Sequence, residues 1–352
     1  MAVFKVENIS IKGISACVPK QEESNWDYNT LTDQEKKLLI KTTGVVKKRI
    51  ADNKTTTSDL CYTAAQEIIK KTNCDINEIE ILIFVSQSPD YFLPATSIIL
   101  QNKLGLPKTT IAFDINLGCS GYVYGLSVIG SLLATTKLKK ALLLTGDVSS
   151  FSVDKKDKST YPLFGDAGSA TLIEYKKEAA PMYFNIQSDG AGFESIIIPD
   201  GGIRNPLTPD SFKEYELTKG IVRSNRSLKL NGEDIFNFSL REVPTNIKKL
   251  LEFAQFDIEN TDYFIMHQAN KIMNEAIRKK LGIPTEKVPY SLEKYGNTSS
   301  ASIPLTIIDK LNHPLSKGKH QLILSGFGVG LSWASVLLTT ENLISTSVIN
   351  YE

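Results

Sequence analysis

The sequence predicts an α/β fold assembled from two similar halves with layered sheets. Three observations carry this: strands alternate with helices, one segment occurs twice, and the stretches after its two copies are also alike. The first copy, near residue 75, reads DINEIEILIFVSQS, then an apolar helix-like segment, then KLGLP at 103–107. The second, near residue 257, reads DIENTDYFIMHQAN, then the helix KIMNEAIRKKL, then KLGIP at 280–284. Each is an acidic turn, a buried strand, a polar step and a helix that stops at glycine, with a proline that cannot continue it.

Taken in order, MAVFKVENISIKGISACVP reads as an opening strand, because charges interrupt the continuous apolar stretch that a signal peptide needs. After KLGLP come a strand, Cys119, an apolar helix and the strand ALLLTGD. YKKEAAP links the halves, which divide as 1–175 and 176–352. An inserted loop region spans about 190–228, where DGGIRNPLTPDSFKEYELTKG is rich in Pro, Gly and charge and reads as a surface excursion. After KLGIP, the segment YGNTSSASIPLTIIDKL reads as a helix that leads to QLILSGFG. The start of the Cys119 helix thus corresponds to the start of the Asn297 helix.

Composition bounds the function. The 352 residues, 41% of them hydrophobic, can build a large core, and a net charge of +1 gives no reason to expect nucleic acid or an anionic membrane. Cys17, Cys61, Cys74 and Cys119 are widely spaced without CxxC, so neither disulfides nor a zinc site is expected and a reducing cytoplasm is the default. No run approaches a transmembrane span. The expectation is a soluble cytoplasmic protein without a metal.

DINLGCSGYVYG places Cys119 between small residues where a strand ends and a buried helix begins. Such a cysteine is a small core residue or a nucleophile whose pKa the helix start would lower. His267 ends the apolar strand TDYFIMH, and a structural role fits it equally well. His313 and His320 fall in KLNHPLSKGKHQL, which reads as an exposed polar loop. Asn297, in YGNTSS, reads alone as a turn or N-cap residue. Together the three say more: a thiol can hold an acyl group, while imidazole and carboxamide can hydrogen-bond a carbonyl that becomes an enolate. GFGVGLSW lies too near the C-terminus for a nucleotide loop, and its glycines would let an N–H approach an oxyanion.

These residues bring out a resemblance that runs nearly end to end. TTGVVKKRIAD, NLGCSGYVYGL, LFGDAGSATLIE, NGEDIF, HQAN, YGNTSSASIP and SGFGVGLSWAS occur in order, as in the β-ketoacyl-acyl carrier protein synthase III group of the thiolase-fold condensing enzymes. The resemblance implies a five-layered αβαβα fold of two pseudo-symmetric halves, usually a homodimer. It implies that Cys119 takes an acyl group from a thioester while the N–H groups of Cys119 and Val329 hold the oxyanion. His267 and Asn297 would then stabilise the enolate left when malonyl-acyl carrier protein loses CO2. Phe327 would give the malonyl carboxylate an apolar neighbour, and Asn270 and Lys271 would face the substrate. No metal or redox cofactor is implied. Primary fatty-acid synthesis, a secondary metabolite and acylation of a surface sugar all remain open pathways.

Several positions depart from members that use acetyl-CoA. Leu38 and Lys158 stand where those hold adenine between tryptophan and arginine, and Thr42 and Ile272 replace two arginines. Glu233 stands for the usual asparagine or arginine in NGEDIF. Losing an aromatic clamp and cations weakens CoA binding, which points to a donor other than short-chain acyl-CoA, such as an acyl carrier protein. Leu93 replaces the phenylalanine that limits the acyl pocket, which would admit longer or branched chains. Two rival activities would also place an acyl group on Cys119. One is acyl transfer to a non-malonyl acceptor without condensation. The other is a Cys-His-Asn hydrolase of the papain kind, whose sequence context around the cysteine is missing here. A silent scaffold would not need the three residues.

Overall fold

The computed structural model of the protein describes residues 2–352. Its strands are β1 (Ala2–Val6), β2 (Ile9–Pro19), β3 (Ile79–Val85), β4 (Ile111–Ile115), β5 (Lys140–Asp147), β6 (Ala167–Tyr175) and β7 (Met182–Ser188). They continue as β8 (Tyr215–Thr218), β9 (Ile221–Arg223), β10 (Tyr263–Met266), β11 (Lys319–Gly328), β12 (Ser332–Glu341), β13 (Ile344–Ser345) and β14 (Ile349–Tyr351). Shorter two- and three-residue strands are named below only where they matter. The helices are α1 (Asp33–Thr43), α2 (Thr57–Lys71), α3 (Thr96–Lys103) and α4 (Gly121–Thr136) in the first half. The second half adds α5 (Gly232–Ala254), α6 (Lys271–Leu281), α7 (Leu292–Tyr295) and α8 (Ser302–Leu315).

Two large sheets form, ordered β13-β2-β6-β5-β3-β4, with β14 also on β2, and β1-β7-β12-β11-β10. Their centres match: β3 lies parallel to β5 and β10 parallel to β11, while β5/β6 and β11/β12 are antiparallel. The duplicated segments therefore occupy equivalent strands, β3 and β10. Both strands are apolar runs with almost no exposed side chain, as sheets covered on both faces require.

Apolar side chains divide into layers. α2 and α3 cover the outer face of the first sheet through Leu60, Ala64, Ile68 and Leu100. α5 and α6 cover the outer face of the second through Phe238, Ile247, Leu250 and Ile277. Between the sheets lie α4 and α8, which bury Tyr122, Leu126, Ile129, Leu305, Ile308 and Leu315 in one core. The result is a helix–sheet–helix–sheet–helix stack in which α4 up to Ala134 and the first half of α8, Ser302–Ile308, have no exposed residue. That burial explains their apolar sequences.

Chain and sheets do not divide at one point. The N-terminal strand β1 pairs with β7 in the second sheet, and the C-terminal β13 and β14 pair with β2 in the first. The opening stretch is thus two strands, not one. His313 lies in the last turns of α8 and His320 in β11, so neither occupies the expected loop.

The outer layer lies very close to the first sheet at one glycine. A Cβ on Gly168 of β6 would lie 2.5 Å from the Cys61 nitrogen and 2.7 Å from the Leu60 carbonyl carbon, both backbone atoms of α2. A Gly168→Ala chain should therefore lose about 1–3 kcal/mol, read as a lower urea midpoint at unchanged slope; an unchanged midpoint would show that the layers can part at no cost.

Candidate active site

Cys119 lies in the turn between β4 and α4, two residues before the first residue of that helix. Ser120 Oγ shares a hydrogen bond of 2.7 Å with Ser332 Oγ, which ties the turn to β12. β11 approaches from the other side. A Cβ on Gly328 would lie 2.8 Å from Cys119 Sγ, and one on Gly326 would lie 2.8 Å from the Ser120 Cα. Only glycine lets a strand backbone come so near the thiol. The backbone N–H groups of Val329 and of Cys119 itself act on the sulfur as donors.

The expected lowering of the thiol pKa does not hold in this resting site. Burial pushes it up to about 11, and the buried Asp147 raises it further, while the two N–H groups and Ser299 oppose them. Desolvation outweighs the helix start. Cys17, Cys61 and Cys74 are buried and unpaired, so Cys119 is the cysteine that opens on the cavity described below.

His267 follows β10, where its N–H donates to the Ser325 carbonyl at 2.8 Å. Its Nδ1 is 2.8 Å from Ser302 Oγ in α8, and Ser302 Oγ also accepts the Gln268 N–H at 3.3 Å. Phe327 stands edge-on to the ring, centroids 5.7 Å apart. Burial lowers the imidazole pKa to about 4, against a backbone hydrogen bond with Ser299. The ring is therefore neutral at physiological pH.

Asn297 lies between α7 and α8, where the sequence suggested a helix start. Its N–H donates to the Leu163 carbonyl at 2.8 Å, and its own carbonyl accepts the Gly165 N–H at 3.0 Å. LFGDAG and YGNTSS are thus two sides of one backbone bridge. Asn297 Oδ1 accepts the Ser299 N–H at 2.9 Å. This leaves the amide Nδ2 group as the part free to donate to a ligand.

All three side chains line one cavity of about 800 Å³, within the range of small-molecule sites. Phe327, Val329 and Asn270 line it too, although Asn270 Oδ1 also caps α6 by accepting the Met273 N–H at 2.9 Å. The structure does not bring Leu93 or Lys271 to it. Leu93 is 82% exposed and its neighbour Phe92 lines the cavity instead. Lys271 is exposed and packs its Cβ beside Gly44 at the end of α1. Lys158 Nζ is held by Glu35 of α1 at 3.2 Å, and its N–H donates to Gly220 between β8 and β9. Leu38 is exposed, so no aromatic stands opposite Lys158 on α1.

Sequence reasoning missed Asp147, Ser299 and Ser302. Asp147 is buried at the end of β5 and accepts from the Gln87 N–H at 2.7 Å, Ser86 Oγ at 3.1 Å and Ser88 Oγ at 3.3 Å. An acidic residue closing the apolar run ALLLTGD was the available signal. It also missed that the two ends of the inserted region help form the cavity: Ile196, Ile197 and Ile198, with Leu228 and the following Leu230, line it. Among the described residues, no three His, Cys, Asp or Glu side chains form a metal-sized cluster, and no helix is long and apolar enough to cross a membrane.

Comparisons with known proteins show what the chain is similar to. Residues 113–190 match the family described as 3-Oxoacyl-[acyl-carrier-protein (ACP)] synthase III, and residues 251–340 match its C-terminal counterpart. A β-ketoacyl-[acyl-carrier-protein] synthase III of Streptococcus mutans is 32% identical over 91% of this chain and 96% of its own length. The Clostridium acetobutylicum protein of the same name is 32% identical over 95% and 99%. The crystal structure of a 3-oxoacyl-(acyl-carrier protein) synthase from Burkholderia xenovorans covers 99% of both chains, with a TM-score of 0.93 and 38% identity.

The raised thiol pKa has a direct consequence. Under native conditions iodoacetamide should modify one cysteine, Cys119, at a rate that still climbs above pH 9, the ordinary thiol value, toward about 11. Intact mass at a series of pH values reads this, and a rate that levels off below pH 8 would show a thiolate already formed.

Proposed function

The chain belongs to the 3-oxoacyl-[acyl-carrier-protein] synthase III family, and we propose that its cavity joins an acyl group on Cys119 to a malonyl unit carried by acyl carrier protein. It is an acyltransferase of the decarboxylating, condensing kind. The observation that carries the assignment of roles is the convergence of Cys119, His267 and Asn297 on one cavity beside the Val329 N–H.

In the first half-reaction the Cys119 sulfur attacks the donor thioester carbon. The S–C bond forms, the carbonyl oxygen becomes an oxyanion held by the N–H groups of Cys119 and Val329, and the donor thiol leaves with the proton. The malonyl thioester then enters with its carbonyl oxygen toward His267 and Asn297. With Nδ1 engaged by Ser302, Nε2 is the ring nitrogen available to donate, alongside Asn297 Nδ2. Cleavage of the carboxylate carbon–carbon bond releases CO2 and leaves an enolate that these donors stabilise. Phe327, buried beside His267, gives the carboxylate an apolar neighbour, and the product CO2 is neutral. The enolate carbon attacks the acyl-cysteine, the Cys119 sulfur leaves, and it takes from water the one proton that the overall reaction consumes. Atoms and electrons balance without a metal or redox cofactor.

The altered CoA-facing positions support a donor other than short-chain acyl-CoA. The pairing of Lys158 with Glu35 and its cover by the β8–β9 hairpin strengthen this reading, and the cavity volume leaves room for a chain longer than acetyl. Transfer to a non-malonyl acceptor is not favoured, because it would leave two enolate donors without a task. A homodimer is proposed as well: β4 is an edge strand, and exposed Ile111, Ile98, Tyr91, Phe92 and Leu93 offer apolar surface for a second copy. The cytoplasm, where acyl carrier thioesters are made, is the proposed compartment.

Incubation with a panel of acyl-CoA and acyl-carrier thioesters, followed by intact mass, tests the donor. Carrier-borne acyl groups longer than acetyl should acylate Cys119, and Cys119→Ala should abolish the mass increment. Efficient acylation by micromolar acetyl-CoA would contradict the donor assignment.

A further inference from the structure

One cation that lines the cavity, Arg226, has no acidic partner among the described residues. Arg226 lies in the turn between β9 and the short strand Lys229–Leu230, half-buried, and it lines the cavity. Arg223 of the inserted region pairs with the buried Asp157 at 3.3 Å, and outside that region Lys156 pairs with Glu214 at 2.7 Å and Lys158 with Glu35 at 3.2 Å. Arg226 has no such partner among the described residues. Asp200, the acidic side chain on the same rim, is not within ion-pair distance of it.

The residue is nonetheless held in place. Its N–H donates to the Ser211 carbonyl at 3.1 Å and to Ser224 Oγ at 3.2 Å. Its guanidinium lies over the Phe151 ring, 4.9 Å from the centroid. Phe151 is otherwise 76% exposed. Its short helix is pinned to the same region by the Leu228 N–H, which donates to the Ser152 carbonyl at 2.7 Å. A guanidinium stacked on one aromatic face, with its N–H edge unpaired, is set up for an oxyanion.

We propose that Arg226 is an anion-binding residue of this cavity and that it takes the phosphate of the phosphopantetheine arm which carries the thioester. This rests on the reading of the cavity as a thioester site. At Thr42 and Ile272 the resemblance led us to expect cations and the chain has none; the inserted region supplies one from a different direction. A lone phosphate contact of this kind also fits a carrier-borne donor, because the arm offers one phosphate at the cavity mouth and no adenine is required. CoA and a carrier protein both present this phosphate, so the source is separated by experiment.

Binding of 4′-phosphopantetheine and of pantetheine, measured by calorimetry on the wild-type chain, Arg226→Gln and Arg226→Lys, reads the site without any chemistry at Cys119. The wild type should bind the phosphorylated arm about tenfold more tightly than pantetheine, a ratio of the size of one charge-assisted hydrogen bond. Arg226→Gln should reduce the ratio to near one with pantetheine binding unchanged, and Arg226→Lys should restore part of it. Holo-carrier and CoA, titrated in parallel, identify the source as the one whose affinity falls with Arg226→Gln. Equal affinity of the wild type for both arms, or an undiminished ratio in Arg226→Gln, would overturn the proposal. Phosphate-dependent binding in a chain whose Cys119 no thioester acylates would leave Arg226 standing and count against the functional reading instead.

Discussion

The approach of β11 to the thiol turn is the contact on which the rest of the site depends. Gly326 and Gly328 bring a strand of the second sheet against Cys119 and Ser120 of the first half, at distances that admit no side chain. The same strand carries Phe327 into the cavity and delivers the Val329 N–H to the sulfur. Because β10 pairs in parallel with β11, His267 at its end arrives beside Phe327. The core that holds α4 and α8 between the sheets then sets Ser302 and Asn297. The duplicated architecture therefore has a consequence for the proposed reaction: one half supplies the thiol and the other the imidazole and carboxamide that line the same cavity.

Electrostatically the resting site is quiet. The thiol is raised to about 11 and the imidazole lowered to about 4, both mainly by burial. Neither is charged at neutral pH, so this is not a preformed thiolate–imidazolium pair. In the proposed reaction charge appears only as it proceeds, at an oxyanion and then at an enolate, beside fixed N–H and carboxamide donors. Such preorganised donors have their largest effect in a cavity that holds little water.

Much of this was legible in the sequence. The repeat foretold equivalent strands because acidic turn, buried strand and Gly-Ile/Leu-Pro stop all follow from local backbone rules. Cys119, His267 and Asn297 were legible because their segments are short and chemically unusual. What was not legible depends on long-range placement. The crossing of β1, β13 and β14 between sheets leaves no local mark, since a strand carries no label for its partner. Ser302 stands in a helix whose apolar pattern says only that it is buried, not that its hydroxyl faces Nδ1 of His267. Leu93, carried over by resemblance, is exposed in a single chain, on the surface where a second copy is proposed to lie. The thiol pKa failed for a physical reason: the helix start favours a thiolate, but burial opposes it more strongly.

The proposed function rests on a division of labour, with Cys119 carrying the acyl group and His267 and Asn297 acting on the malonyl unit. Release of CO2 from malonyl-acyl carrier protein by the Cys119→Ala chain tests it most directly. Decarboxylation should persist without the thiol, and adding His267→Ala or Asn297→Ala should reduce it by about a hundredfold or more, the usual effect of removing one such donor. CO2 release that stops with the thiol alone, or continues undiminished without the imidazole and carboxamide, would contradict it.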